Sequence, residues 1–390
     1  MNILLLSYEY PPIGGGGGVG AMQYARAWVR QGHKVTVLTS RAPGLAKRET
    51  ADGVDIIRVF AVGRRDRATA TNLSMLCYLV FGFLYVLCHL REIRKAEVIN
   101  THFSIPTGPL GLVVSRMFGI PDVLTIIGGD IYDPSKRSSP HRSSLLRWVN
   151  AAIINRATRV VAISSDTKKR AETYYNLKND IAIINYGFDP FTLPPATRAE
   201  FGLKDQSFYL IAVGRLVERK GFEYLIRSLR ELPEEIELLL VGDGPLLRHL
   251  EECTQAEGVR HRVRFLGYQT RDAILKLLQV ADCFVLSSLH EGLGIVVQEA
   301  MYVGRPVVAT NNGGQVDLIQ EGRNGLLVPP SDAFELARAI ERVYREPLLA
   351  RRMAEANRCD IQRCYMAQNC RLYISLFGQA ASPLPRASAA

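Results

Sequence analysis

The stretch Cys283 to Thr310, CFVLSSLHEGLGIVVQEAMYVGRPVVAT, decides the fold of this 390-residue chain. It opens on a short apolar run, CFVLSS, and closes on another, PVVAT, and neither alternates as a strand with one wet face would. Between them Gly292 and Gly294 punctuate a loop, and IVVQEAMYV reads as a helix. Glu291 therefore falls in a loop after a buried strand, and Glu299 about a turn into the helix. Amides at such a helix start can meet a phosphate or sugar oxygen. A carboxylate further along can accept two hydroxyl protons from a ribose. Glu299 does not read as a solvated helical glutamate, because Val296, Val297, Ala300, Met301 and Val303 around it are apolar and an unpartnered carboxylate there is costly.

The same alternation extends in both directions. NILLLS, KVTVLT, VDIIRV, EVINTH, DVLTII, RVVAIS and IAIINY occupy the first half; FYLIAVG, IELLLVG, RVRFLG, CFVLSS, PVVATN and GLLVPP follow Asp189. Helix-like segments such as FEYLIRSLREL and RDAILKLLQVA separate them. The expected fold class is α/β, with two Rossmann-like doubly wound parallel sheets facing each other across a cleft at the carboxyl ends of their strands. The seam falls in GFDPFTLPPATRAEFGL, where Pro190, Pro194 and Pro195 break any helix. The expected domains are residues 1–189, residues 190–365, and a C-terminal segment 366–390 that forms a helix packing back on the first domain before a disordered tail, ASPLPRASAA.

Composition bounds the function without naming it. A net charge of +10 makes an anionic partner plausible, but the basic residues are dispersed and do not form a nucleic-acid-binding run. Seven cysteines, an odd number with several in apolar runs, read as thiols in a reducing compartment. MNILLLSYEYPP has no basic leader and no cleavage site, so it reads as a strand and the expected location is cytoplasmic. Leu73 to Leu90, LSMLCYLVFGFLYVLCHL, is flanked by GRRDR and REIRK. Its expected role is a buried or half-buried helix of the first domain. The alternative is an apolar surface lying on an anionic membrane, peripheral at its inner face.

Two loops carry further chemistry. IGGGGGVG, from Ile13 to Gly20, contains a formal G-x-G-x-x-G at Gly15, Gly17 and Gly20. YEYPPI separates it from the strand, however, and KVTVLTS ends without an acid, so a dehydrogenase fingerprint does not fit. The glycines instead feed a helix expected over Ala21 to Arg30, whose N-terminal amides suit an anion. GRLVERKG, Gly214 to Gly221, directly follows FYLIAV; Arg215 supplies a fork and Lys220 a point charge for a diphosphate, each beside a glycine.

Taken in order, GRLVERKG, LLLVGDGP, VRFLGY, EGLGIVVQEAMYVGRPVVAT and GGQVDLIQEGRNGLLVPPSD resemble the C-terminal half of the retaining glycosyltransferases of family 4. YEYPPIGGGGGVG, VINTHF, VLTIIGGD, VVAISS and NYGFD occupy comparable places in the N-terminal half, so the resemblance covers roughly residues 1 to 375. It implies the GT-B fold, an acceptor-side first domain and a second domain that binds a nucleotide-diphosphate sugar. Gly214, Arg215, Lys220 and Gly242 would then hold the diphosphate, and Glu299 the ribose. Glu291, Gly292, Leu293 and Gly294 would hold the donor sugar, and Leu266 and Gly267 would meet the base through their backbone. Gly16, Gly17 and Gly18 would lie where donor phosphates meet acceptor, and His102 would approach the transferred sugar. Many members have a histidine where this chain has Ile127 in TIIGGD, which leaves Asp130 as a further candidate contact.

The resemblance implies transfer of a hexose-type sugar to a carbohydrate or lipid-linked acceptor with retention, in cell-surface polysaccharide or glycolipid synthesis. Arg215 and Lys220 would stabilise the leaving diphosphate, with His102 and Glu291 at the reacting sugar. No cofactor or metal is expected beyond the nucleotide sugar, since the chain lacks an Asp-x-Asp triad and any His/Cys cluster with ligand spacing. A nucleotide-sugar epimerase on the same scaffold and a non-catalytic nucleotide-sugar-binding subunit are the alternatives.

Overall fold

A computed structural model describes residues 1–64, 70–136, 139–192 and 195–381. Pro194 of the expected linker and residues 382–390 of the expected tail lie outside them. The chain divides into two compact units: Met1–Tyr132, Ser138–Phe188 and Met366–Ala390 form the first, and Asp133–Arg137 with Asp189–Tyr365 the second.

The first unit is built on eight strands: β1 Asn2–Ser7, β2 Lys34–Ser40, β3 Arg48–Ala51, β4 Val54–Val59, β5 Val98–His102, β6 Asp122–Ile126, β7 Arg159–Ala162 and β8 Ile181–Ile183. They lie in the order β3-β4-β2-β1-β5-β6-β7-β8, parallel except for the β3–β4 pair. Residues such as Leu4, Leu6, Ile57 and Ile99 form a core on one side of the strand set, and Leu124, Ile126, Val160 and Ala162 belong to another. Sequence reading missed β3, because RETA has no apolar pattern and all four residues are exposed. The signal was Asp52-Gly53: both residues have positive φ (+52° and +77°), the geometry of a tight two-residue hairpin.

The second unit carries β9 Phe208–Val213, β10 Ile236–Val241, β11 Val263–Phe265, β12 Cys283–Leu286, β13 Val307–Thr310 and β14 Gly325–Val328. Its order is β11-β10-β9-β12-β13-β14, wholly parallel. Burial on both faces explains the uninterrupted apolar runs: every residue of β10 is buried, even Glu237, which accepts from Ser207 Oγ at 2.8 Å.

The first helix runs Gly16–Arg30, not Ala21–Arg30, so Gly16, Gly17 and Gly18 form its opening turn and are not a loop before it. The glycines are required because this turn is tightly packed: a Cβ on Gly17 would collide with Ile127 and Phe103, and one on Gly20 with Tyr186. The segment Leu73–Leu90 takes the half-buried form of its expected role. It forms helix Asn72–Cys88, started by a capping box between Thr71 and Ser74, but only Ser74, Tyr78, Gly82 and Val86 are buried. All seven cysteines are free; Cys88 and Cys359 are exposed, while Cys253, Cys283, Cys364 and Cys370 are buried.

The C-terminal helix Met366–Ala381 belongs to the first unit, where it packs on helix Gly16–Arg30, β5 and β6. Its Tyr373 and Phe377 lie 5.8 and 5.2 Å from the ring of Trp28, all three fully buried. Edge-on aromatic packing of this kind adds to the area term. Phe377→Ala is expected to cost about 3–5 kcal/mol, from lost burial plus the cavity left behind. Chemical denaturation followed by Trp28 fluorescence checks this; Trp148, the other tryptophan, is exposed and reports little.

Candidate functional site

In the second sheet the chain winds outward from β9, with β10 on one side and β12 on the other. Such a switch point opens a crevice at the carboxyl ends of the two strands. The loops that enter it are Gly214–Gly221 after β9 and Ser287–Gly294 after β12, two of the stretches singled out in the sequence.

The loops are stitched together by backbone. Leu289 N donates to Arg219 O at 2.8 Å and Ser287 Oγ to Lys220 O at 3.0 Å. Gly221 has φ +60°, and a Cβ there would run into the Ser287 carbonyl, so only glycine lets the loops approach this closely. The result is a charge cluster in which Lys220 and Glu291 each keep 12% of their side-chain surface exposed and Arg219 28%. Lys220 Nζ donates a short hydrogen bond to Glu291 Oε2, and Arg219 Nη1 donates to His290 O at 2.9 Å and to Glu291 Oε1 at 3.4 Å. Gly292 N reaches the same carboxylate at 3.2 Å. Burial alone would raise the Glu291 carboxyl, but Lys220 and Arg219 outweigh it and hold the group at about 2, fully ionised. Arg215 sits half-buried in the same loop.

Gly294, at φ +89°, starts the helix Ile295–Tyr302 with no side-chain cap, and Leu293 is buried behind it. One turn on, Glu299 is buried and accepts from Arg271 Nε at 2.8 Å. Burial raises its carboxyl, with Arg271 opposing. The Arg271 guanidinium in turn lies 5.4 Å over the Phe191 ring. Sequence reading missed Arg219 and Arg271. The first sat inside the quoted GRLVERKG; the second, a helix away from Glu299, has no local signature.

Gly242 is needed because a Cβ there would strike the Gly214 carbonyl where β9 and β10 end side by side. The backbone expected to meet a base is partly engaged already. Leu266 N donates to Leu240 O at 2.9 Å, Gln269 Nε2 donates to Leu266 O at 2.7 Å, and Gly242 N donates to Gly267 O at 2.8 Å. Each of those carbonyls retains a second lone pair. A separate cavity of about 320 Å³ beside helix Phe222–Ser228 is lined by Glu218, Glu223 and His249 and includes neither Lys220 nor Glu291.

The first sheet has its own switch point at β1, flanked by β2 and β5. The glycine stretch follows β1, and His102 ends β5. The side chain of His102 is wholly buried, its ring 6.1 Å from Tyr186 in a parallel stack. Asn100 Nδ2 donates to Val123 O and Thr125 Oγ1, so Asn100 Oδ1 is the atom facing His102 Nδ1, at 3.0 Å. That arrangement assigns the proton to Nδ1 and leaves Nε2 an acceptor, which has no partner among the described residues. Burial lowers the imidazole to about 3, so it is neutral. Thr125 Oγ1 also lies 3.0 Å from Tyr373 OH, which ties this chain of hydrogen bonds to the C-terminal helix.

Asp130 is an internal brace. Its carboxylate accepts from Ser104 N at 2.7 Å and Ile127 N at 3.0 Å, and burial raises it to about 6. Ile127, at the place where many members of the resembled family carry a histidine, packs over Gly17. Among the described residues, no three His, Cys, Asp or Glu side chains gather closely enough to hold a metal ion.

Residues 15–187 match a model described as a glycosyl transferase 4-like domain, and residues 195–360 one described as glycosyl transferases group 1. An uncharacterised glycosyltransferase of Methanocaldococcus jannaschii is 30% identical over 366 residues, covering 89% of this chain and 90% of that one. An Escherichia coli UDP-Gal:α-D-GlcNAc-diphosphoundecaprenol α-1,3-galactosyltransferase is 28% identical over 270 residues, 66% of this chain and 68% of the other. Among solved structures, a sucrose-phosphate synthase from Thermosynechococcus elongatus superposes with a TM-score of 0.86 at 24% identity, covering 98% of this chain and 100% of that one. Two parallel-sheet α/β domains, cationic and acidic side chains at the switch point of the second sheet and matches along both halves lead to one conclusion: this chain belongs to the group 1, family 4-like glycosyltransferases of the GT-B fold.

Proposed function

We infer that this enzyme transfers a hexose from a nucleoside-diphosphate sugar to a hydroxyl of a carbohydrate or lipid-linked acceptor, with retention of anomeric configuration. The reading belongs to the synthesis of cell-surface polysaccharide or glycolipid, in keeping with the lipid-linked acceptor named for the Escherichia coli relative. The observation that carries it is the half-buried Lys220–Glu291–Arg219 cluster at the β9/β12 switch point.

Cleaving the anomeric C–O bond pushes negative charge onto the diphosphate and positive charge onto the sugar. Lys220 and Arg215 meet the first, with no metal ion required in this reading. Glu291 holds Lys220, which fixes its ammonium in position and leaves it little reorganisation on meeting a diphosphate. Glu299 and Arg271 hold the ribose, and the Gly292–Gly294 backbone with Glu291 holds the sugar hydroxyls. A carboxylate pulled to about 2 by two cations is a poor nucleophile. That favours same-face attack, in which the departing phosphate takes the acceptor proton, over a covalent sugar–Glu291 intermediate. In the first unit the neutral His102 offers Nε2 as an acceptor for a sugar hydroxyl.

Transfer from a panel of nucleotide sugars, with product anomer assigned by NMR, tests the reading. Lys220→Ala is expected to lower kcat about 10²–10³-fold, as for loss of one preorganised transition-state donor. Glu299→Ala is expected to raise the donor KM about 10–100-fold with a smaller effect on kcat, the range of a hydrogen bond to a charged group. Near-wild-type turnover in both folded variants sinks the site assignment, and an inverted product sinks retention.

His102→Phe keeps the ring volume while removing Nε2, and is expected to lower kcat/KM about 10–100-fold. Because the imidazole titrates at about 3, the wild-type rate profile should show no limb near pH 6.5 attributable to it. A limb there that disappears in His102→Phe would mean the histidine works as a cation.

A further inference from the structure

Helix Asn72–Cys88 contains no charged residue, and its two faces have opposite fates. Ser74, Tyr78, Gly82 and Val86, four residues apart, form the buried stripe. Tyr78 OH donates to Leu38 O at 3.2 Å and Tyr8 OH lies 2.6 Å from Ser74 Oγ, which fastens this stripe to the sheet. The opposite face carries Leu73, Leu76, Val80, Phe83, Leu84 and Leu87 in solvent, with Leu76 59% exposed and Leu73 55%. Exposed Phe60, after β4, extends this surface by packing edge-on against Phe81 at 4.9 Å. Single exposed leucines are ordinary, but a contiguous apolar face along a whole helix marks an interaction surface.

Charge indicates what covers it. The turn Leu90–Ile93 follows the helix and leads to a cavity of about 560 Å³ lined by Lys34, Arg48, Arg91 and Lys95 with Asp55 and Glu92. The two acids are engaged within the fold: Glu92 accepts from Arg48 at 2.8 Å, and Asp55 from Thr50 at 2.9 Å. Lys34, Arg91 and Lys95 have no ion-pair partner among the described residues and are exposed. An apolar face that ends in an uncompensated cationic cavity matches a bilayer: acyl chains against the leucines, anionic headgroups against the cations.

The helix cannot cross that bilayer. Its 17 residues reach about 25 Å against roughly 30 Å of hydrocarbon, and no helix among the described residues is long and apolar enough to span. We propose that helix Asn72–Cys88 lies in the plane of an anionic phospholipid surface, its leucine face inserted and a lipid phosphate seated in the Lys34–Arg91–Lys95 cavity. The inference stands apart from the sugar chemistry, since it predicts binding with no donor or acceptor present.

Flotation of the full chain with phosphatidylcholine vesicles, with and without phosphatidylglycerol, tests it. The wild type is expected to float with the anionic vesicles, and the triple variant Leu76→Ser/Leu84→Ser/Leu87→Ser to lose at least about tenfold in partitioning to both compositions. Arg91→Ser/Lys95→Ser should keep the weak neutral binding and lose about thirtyfold of the anionic preference, as two basic residues near a charged surface allow. Unchanged thermal transitions show that these exposed substitutions leave the fold intact, and a donor-induced thermal shift read in parallel keeps failure of docking distinct from failure of the transferase reading. Wild-type protein that stays behind with both vesicle types overturns the proposal. So does equal flotation of all three proteins, and so does self-association of the wild type that the leucine variant abolishes without any vesicle binding.

Discussion

A carboxylate and an ammonium held together with most of their surface shielded from water, Glu291 and Lys220, set the terms for the second domain. Neither tolerates burial alone, and removing either leaves the other as an uncompensated buried charge. The pair exists because two loops approach backbone to backbone, and they can do so only where no Cβ intervenes, at Gly221 against Ser287; a third loop, after β13, comes up to the Glu291 backbone at Gly313 in the same way. Polar chemistry at the switch point thus depends on missing side chains. The glycines of this region are the spacing of the site and not its flexibility.

The first domain obeys the same rule with different content. Gly17 and Gly20 let the opening turn of the first helix press against Phe103, Ile127 and Tyr186, and Tyr186 in turn stacks along the ring of His102. The imidazole is fixed from its other side by Asn100, which is oriented by Thr125, which meets Tyr373 of the C-terminal helix. A segment more than two hundred residues away in the chain therefore takes part in setting which nitrogen of His102 carries the proton. Burial keeps that ring neutral, so its contribution is a lone pair in a fixed direction and not a charge.

Much of this was legible in the residues. Parallel strands covered on both faces leave uninterrupted apolar runs, and thirteen of the fourteen strands were readable that way. The exception, β3, earns no apolar signature because it sits exposed at a sheet edge, and its Asp-Gly turn was the only clue. Lys220, Glu291 and Glu299 were recognisable from their loops and offsets, but their partners were not. Arg271 comes from a different helix than Glu299, and a partner contributed by tertiary packing has no fixed spacing along the chain. The helix over residues 72–88 shows where composition left two outcomes open. Its apolar sequence was compatible with a buried or a half-buried helix, and the structure gives the second: a stripe of Ser74, Tyr78, Gly82 and Val86 is covered, leaving the leucines outside.

By itself the sequence determined the two α/β sheets, their order of strands and helices, and the stretches that carry cationic and acidic groups, because these follow from local periodicity, glycine placement and residue type. Only the tertiary structure decided that Lys220 and Glu291 neutralise one another, that His102 is an enclosed neutral acceptor, that the glycine stretch is the packed first turn of a helix, and that the leucines of helix Asn72–Cys88 face outward. Each of those depends on which surfaces meet across long sequence separations. The desolvation that shifts a carboxylate or an imidazole is a property of the assembled surroundings and is written in no single stretch of residues.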